Sequence, residues 1–332
     1  MIGTGRQGTA VSITGLGSRV PDRVVTNEEL AQHVDTSNEW IMERTGIRER
    51  RMAAPEEALS DLALPAARTA LEQAGLTGRD VDLLIVATVT PDMAFPSTGA
   101  ILADLLGATD AAAYDLSAGC TGFMYAIAQA YGMLAGGLAQ RALVVGGDIL
   151  SRLLDWEDRS TLVLFGDGAG AVVMELVPEA GFLGFELGAD GAGGQNLWLP
   201  GSGSRLFTEP ERYVKMNGRE VFRFATRILV QSGEALLAKC GFTIDDVDLY
   251  IPHQANVRII EHATRKLGVP SERVVVNVDR LGNTSSGSIP LALADAAAAG
   301  RLRPGQLVLM TGMGAGLTWG SALMRWTKEI AA

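Results

Sequence analysis

Three residues in this sequence have the type and placement for nucleophilic chemistry. Cys120 lies in Asp115-Leu-Ser-Ala-Gly-Cys-Thr-Gly-Phe123, between a strand-like run at 111–116 and an apolar helical run at 123–134. The thiolate is the reactive form of cysteine, and a helix N-terminus favours negative charge, so this position is expected to lower the thiol pKa. Gly119 and Gly122 let backbone and substrate approach closely. The same stretch also fits a buried cysteine used as a small apolar residue, and one cysteine fixes no reaction. His253 follows an apolar run and Pro252, in a chain with 3 histidines. Asn283 stands in Gly282-Asn-Thr-Ser-Ser-Gly-Ser288, ahead of another apolar helical run. No Cys/His cluster has metal-ligand spacing, so no metal is expected.

The elements that must position these groups occur twice. Residues 71–85 match residues 237–251 at an offset of 166, with eight of fifteen pairs identical, including Gly75 with Gly241 and 80–83 with 246–249. At that offset Cys120 lands on Ser286, while the apolar strand 142–147 meets 307–312 at a shift of 165. Two copies of one α/β unit about a pseudo-twofold axis are the simplest account. Equivalent strand ends and helix starts then face a shared centre, where Cys120, His253 and Asn283 can converge. Continuous apolar strands at 81–89 and 141–145 alternate with helices at 59–74 and 98–106, as in a layered α/β fold. The Gly-, Ser- and Pro-rich stretch 178–210 divides the chain into halves at 1–178 and 179–332. Cys240, in the helix-end equivalent of Ala74, reads as inert packing.

The chain has 332 residues, 47% hydrophobic and 20% charged, with a net charge of −10. That charge argues against a nucleic-acid surface. Two cysteines give no disulfide framework, which suits a reducing cytoplasm. No apolar run is long enough to span a membrane, and residues 1–10 read as a short lead-in, not a signal peptide. Residues 35–51 hold Trp40 and four arginines. They fit either a salt-bridged helix end or a site for an anionic cofactor tail, with Trp40 stacking on a base and Arg44 meeting phosphate. The glycines of 165–171 lack the spacing of a nucleotide loop and read as tightly packed strand ends.

Taken together, Asp35-Thr-Ser-Asn-Glu-Trp-Ile41 with Arg44-Thr-Gly-Ile47, Ser117-Ala-Gly-Cys-Thr-Gly-Phe123, Pro252-His-Gln-Ala-Asn256, Gly282-Asn-Thr-Ser285 and Gly314-Ala-Gly-Leu-Thr-Trp-Gly320 carry a resemblance. The chain resembles the β-ketoacyl-acyl-carrier-protein synthase III family, from about residue 11 to 326. The resemblance implies a thiolase fold of five layers, α-β-α-β-α, in a homodimer. It implies Claisen condensation of a short acyl-CoA with malonyl-acyl-carrier protein through an acyl-cysteine, acyl-CoA being a substrate and no cofactor being used. Cys120, His253 and Asn283 fall on the family's catalytic set, and the backbone of Cys120 and Ala315 on its oxyanion hole. Trp40, Arg44, Arg159, Gly218, Phe222 and Asn256 would bind CoA. Arg223, Arg258, Arg265 and Lys266 would dock the acidic carrier protein. Phe95, Leu150, Phe165 and Met313 would border the acyl pocket, with Phe95 reaching into the partner subunit. Met313 stands where many members carry an aromatic residue, and Ser286 replaces a common alanine.

Three other readings share parts of this pattern. Elongating synthases would carry histidine at Asn283, and biosynthetic thiolases a second cysteine, so both are disfavoured. A priming synthase of a polyketide or quinolone pathway shares all the motifs. A non-catalytic acyl-CoA or carrier-protein binding module would not need Cys120, His253 and Asn283 together.

Overall fold

The computed structural model describes residues 10–201, 203–205 and 212–328. The lead-in before Ala10 and part of the 178–210 stretch lie outside the described residues. One mixed sheet is built from β1 (Ala10–Arg19), β2 (Leu83–Ala87), β3 (Ala112–Leu116), β4 (Arg141–Asp148) and β5 (Gly168–Val177), in the order β1-β5-β4-β2-β3. The second uses β6 (Gly181–Ala189), β7 (Leu249–Pro252), β8 (Leu307–Gly314) and β9 (Thr318–Arg325), in the order β7-β8-β9-β6. The two orders match strand for strand, except that no neighbour as long as β3 flanks β7. There the pairing shrinks to a single bridge, Tyr250 to Val274.

Helices complete the layers. Leu59–Ala74 (α1) and Thr98–Leu106 (α2) cover the outer face of the first sheet, Gly122–Ala135 (α3) and Ser288–Ala298 lie between the sheets, and Gly218–Cys240 packs on the outer face of the second. The result is the five-layered α-β-α-β-α thiolase fold. The strands facing the central helices are buried on both sides, which is why they read as continuous apolar runs. Phe123, Ile127, Val144, Ile251, Ile289 and Met310 belong to that central core.

The duplication holds in detail. Helix α1 ends at Gly75 (φ +73°), and Gly218–Cys240 ends at Gly241 (φ +78°), each in the left-handed conformation that glycine adopts most readily. In the turn that follows, Asp80 accepts from the Thr77 amide at 2.9 Å and Asp246 from the Thr243 amide at 2.8 Å. One correction concerns the strand offset of 165. Leu83 pairs with Ala142 and Leu249 with Val308, so β4 and β8 obey the same 166 offset as the rest. Helix α3 begins at Gly122 and its counterpart at Ser288, also 166 apart. The glycines of 165–171 pack as strand ends do: a Cβ at Gly166 would lie 2.2 Å from the Leu281 carbonyl oxygen, and one at Gly170 2.7 Å from the Pro290 side chain.

Candidate active site

Cys120 sits in the loop that joins β3 to α3, one residue before the helix N-cap Thr121. This loop and the one after β8 touch backbone to backbone. A Cβ at Gly314 would lie 2.6 Å from the Cys120 amide nitrogen, and one at Gly119 (φ +58°) 2.7 Å from the Ala315 carbonyl oxygen. Only glycine permits that approach. Thr318 pins the contact, its Oγ1 lying 2.8 Å from Thr121 Oγ1 and donating to the Ala118 carbonyl at 3.0 Å.

Burial dominates the electrostatics. Together with a smaller contribution from the Asp148 carboxylate, it pushes the Cys120 thiol up to about 11. The Ser285 hydroxyl and the backbone N–H groups of Ala315 and Cys120 pull in the opposite direction. The expectation that the helix start lowers the thiol pKa is therefore corrected: removal from water outweighs the partial charge of one helix end. Cys120 is half-buried and lines two cavities.

His253 directly follows β7 and is 1% exposed. Its amide donates to the Thr311 carbonyl at 2.8 Å, while neither ring nitrogen has a hydrogen-bond partner. Burial pulls its pKa down to about 4, so the imidazole is neutral at physiological pH, with one N–H and one lone pair. Gln254 clamps this loop. Its side-chain amide donates to the carbonyls of Pro252 at 2.8 Å and Val275 at 3.0 Å, and its oxygen accepts from the Asn277 amide at 2.9 Å. Asn283 is tied by its amide to the Leu164 carbonyl at 2.8 Å. Its Oδ1 accepts from the Ser285 amide at 2.9 Å, which leaves Nδ2 as a donor for the cavity.

Two cavities meet at Cys120, Phe165 and Leu197. The outer one, about 300 Å³, is lined by Cys120, His253 and Asn283 together, and its wall runs out to Trp40, Arg44, Gly218, Phe222, Asn256 and Arg258. The inner one, about 480 Å³, runs from Cys120 past Leu150, Leu153, Trp198, Leu199 and Val214. Leu150 lines the inner cavity and Phe165 both, while Met313 lies on the outer cavity with His253. Phe95 lines no described cavity of its own chain and is 85% exposed.

The arginines of 35–51 divide. Arg50 is fully buried, donating to Asn27 Oδ1 at 2.8 Å and the Val163 carbonyl at 2.9 Å, and Arg48 pairs with Asp279. Arg51 reaches the Pro21 carbonyl at 3.3 Å. Of the four, only Arg44 faces the cavity. Arg159 and Arg44 lie over the Trp40 ring, with guanidinium carbons 4.6 and 5.2 Å from its centroid. The Asn256 amide is engaged in structure, donating to the Arg44 carbonyl at 3.1 Å and capping the next helix. Arg258, at the cavity rim, lies over Phe222, and Arg265 and Lys266 are exposed on the same helix, Val257–Leu267. Arg223 is ion-paired with Glu220 and is not a free cation. Sequence reasoning missed Gln254 and Ser285, although both stand inside motifs it singled out.

Known proteins share this arrangement. The family models described as 3-oxoacyl-[acyl-carrier-protein] synthase III and its C-terminal part match residues 114–191 and 237–326. A β-ketoacyl-[acyl-carrier-protein] synthase III from Symbiobacterium thermophilum is 54% identical over 96% of this chain and 98% of its own. This chain belongs to the β-ketoacyl-[acyl-carrier-protein] synthase III family. Like other members of that family, it is an acyltransferase, an initiating condensing enzyme of fatty acid synthesis. The crystal structure of the synthase III from Thermus thermophilus superposes with a TM-score of 0.91 at 49% identity, covering 95% of this chain and 99% of its own. A priming β-ketosynthase of the R1128 polyketide pathway has the same fold, TM-score 0.92, but is 36% identical over 96% of this chain and 97% of its own. Identity over the full length thus favours the fatty acid synthases of the family over the polyketide primers.

Proposed function

We propose that the outer cavity admits first an acyl-CoA and then malonyl-acyl-carrier protein, and that Cys120, His253 and Asn283 carry both half-reactions. The observation that supports this most is the convergence of all three on one cavity whose wall reaches Trp40 and Arg44. In the first half-reaction the Cys120 proton passes to the neutral imidazole of His253. The thiolate attacks the thioester carbon, and the oxyanion is held by the N–H groups of Cys120 and Ala315. CoA thiolate leaves, taking the proton back from the imidazolium. The acyl chain then lies in the inner, apolar cavity.

In the second half-reaction the bond from malonyl carbon to carboxylate breaks, releasing carbon dioxide and leaving an enolate. Its oxygen takes hydrogen bonds from the His253 N–H and Asn283 Nδ2. Because His253 stays neutral, it can donate without protonating the enolate carbon. That carbon attacks the acyl-cysteine, Cys120 leaves as thiolate, and a solvent proton restores the thiol. Trp40, Arg44 and Arg159 hold the nucleotide end of CoA, with Arg159 moving off the indole face it covers. Gly218, Phe222 and Asn256 flank the pantetheine arm. Arg258, Arg265 and Lys266 form the docking face for the acidic carrier protein, and this acts mainly on association rate.

A homodimer fits the same reading. Strand β3 is the open edge of its sheet and only part-buried, its Asp115 accepts from the Thr98 amide, and Phe95, three residues before Thr98, is exposed. An open strand edge next to a free aromatic favours pairing with a second copy. No helix among the described residues is long and apolar enough to cross a membrane, and the two free cysteines suit the cytoplasm. The test is mass spectrometry after incubation with acetyl-CoA. One acetyl group should appear on Cys120 and be absent in Cys120→Ala. Full labelling of the variant, for example at Cys240, would refute the assignment.

A further inference from the structure

Ser285 is a residue that the mechanism above leaves unused, and its conformation is unusual. It has φ +52°, one of two non-glycine residues with positive φ among the described residues. Left-handed backbone is disfavoured for any residue with a Cβ, and it persists where surrounding structure imposes it, often at active sites. Three hydrogen bonds impose it here. The Ser285 amide donates to Asn283 Oδ1 at 2.9 Å, the Gly287 amide donates to the Thr284 carbonyl at 2.9 Å, and Ser286 Oγ donates to Asp148 at 2.7 Å. Ser285 itself is 1% exposed, and its hydroxyl is buried with no hydrogen-bond partner. A buried hydroxyl without a partner is unfavourable and rare. Its neighbours along the inner cavity include Cys120 and Ala315. Most hydroxyls around it are already engaged: Ser286 Oγ with Asp148, and Thr318 Oγ1 with the Ala118 carbonyl. The group on the same cavity that the hydroxyl can still serve is the Cys120 sulfur, whose thiol it already pulls down and which gains full negative charge only during the reaction.

We propose that Ser285 is a fourth catalytic residue, whose hydroxyl donates a hydrogen bond to the Cys120 sulfur when it becomes thiolate. The inference rests on Cys120 being the nucleophile. Ser285 makes and breaks no covalent bond and keeps its proton throughout; the thiol proton goes to His253 as before. The assignment separates two sets of donors. His253 and Asn283 line the outer cavity, where the malonyl oxygen becomes charged, while Ser285 lines the inner one, beside the sulfur. The electrostatics agree. Among the groups that pull the thiol back down against burial, Ser285 acts most strongly, ahead of the Ala315 and Cys120 amides. Asn283 also gains a second function, since its Oδ1 holds the Ser285 amide and so sets the strained backbone that aims the hydroxyl.

The test compares Ser285→Ala and Ser285→Gly. Both delete the hydroxyl, but only glycine also relieves the left-handed backbone. Melting curves confirm that each variant folds. Iodoacetamide alkylation of Cys120, followed by mass spectrometry across pH 6 to 10.5, reads the thiolate directly. Losing one hydrogen bond to the charged form should raise the thiol pKa by about one unit, lowering the thiolate fraction about tenfold. The more basic thiolate is about threefold more nucleophilic, so alkylation at pH 7 should slow about threefold. The deficit should narrow as the pH approaches the thiol pKa, and both variants should show it equally. Single-turnover acylation by acetyl-CoA should slow with it, while decarboxylation of malonyl-carrier protein should not. A Ser285→Gly variant as reactive as the unsubstituted protein would overturn the proposal, because the backbone and not the hydroxyl would then matter. So would a deficit independent of pH and shared by decarboxylation. If Cys120 of the unsubstituted protein takes up neither label, the nucleophile assignment fails first.

Discussion

His253 should make both stability and decarboxylation depend on pH in a defined window. Its folded pKa is about 4, against an ordinary value of 6.5, because burial disfavours the imidazolium. Between these values the unfolded state binds more protons than the folded one, so stability rises with pH there. The contribution is fully present above pH 6.5 and is lost progressively as pH falls toward 4. Linkage puts the loss at about 2 kcal/mol by pH 5 and about 3 kcal/mol when complete. Burial also raises the Asp115 and Asp167 carboxyls, so the total stability carries further pH dependence. The comparison that isolates His253 is therefore the difference between the unsubstituted protein and His253→Asn. Urea unfolding at pH 7.5 and pH 5 should show the unsubstituted protein losing about 2 kcal/mol more than the variant. The companion assay is the pH profile of malonyl decarboxylation. A neutral donor present down to low pH keeps the rate flat from pH 8 to about 5. Parallel stability curves for the two proteins, or a decarboxylation rate falling along a titration centred at 6.5, would refute the burial argument.

Asn283→Ala should still be acylated by acetyl-CoA but should decarboxylate malonyl-carrier protein about a hundredfold more slowly, because it removes one donor to the enolate oxygen. Paired single-turnover assays read the two steps, and collapse of acylation with decarboxylation intact would reverse the division of labour. Part of any acylation deficit in that variant should match Ser285→Ala, since Asn283 Oδ1 holds the Ser285 amide. Gly314→Ala places a Cβ 2.6 Å from the Cys120 nitrogen and 2.9 Å from its Cβ, so the two loops must separate. Overpacking of that kind destabilises by about 1–3 kcal/mol, and misplaced oxyanion donors should slow acylation about a hundredfold. Thermal melts and the acylation burst measure the two effects separately, and near-native acylation would remove Ala315 from the oxyanion hole.

Much of the architecture is encoded in short stretches of sequence. The helices Leu59–Ala74 and Thr98–Leu106 have the boundaries expected from the sequence, because Gly75 and Gly107 supply the left-handed ends that stop them. The duplication is legible from residues 71–85 and 237–251, because Thr77 with Asp80 and Thr243 with Asp246 build the same turn from local hydrogen bonds. Cys120, His253 and Asn283 could be singled out because each ends a strand or begins a helix in its copy. Other properties depend on contacts between residues far apart in the chain. Burial by both halves holds the Cys120 thiol high, although its local helix start alone argues for the opposite. Three of the four arginines in 35–51 are absorbed by Asp279, Asn27, Val163 and Pro21, which no local pattern foretells. Strand pairing moves the 165 offset to 166, because small apolar residues repeat closely enough to match at either shift. Met313 faces the outer cavity, and the Ser285 hydroxyl is left beside the thiol without a partner. Local propensity sets where elements begin and end. Desolvation and the direction of a side chain are set only when the two halves close on each other.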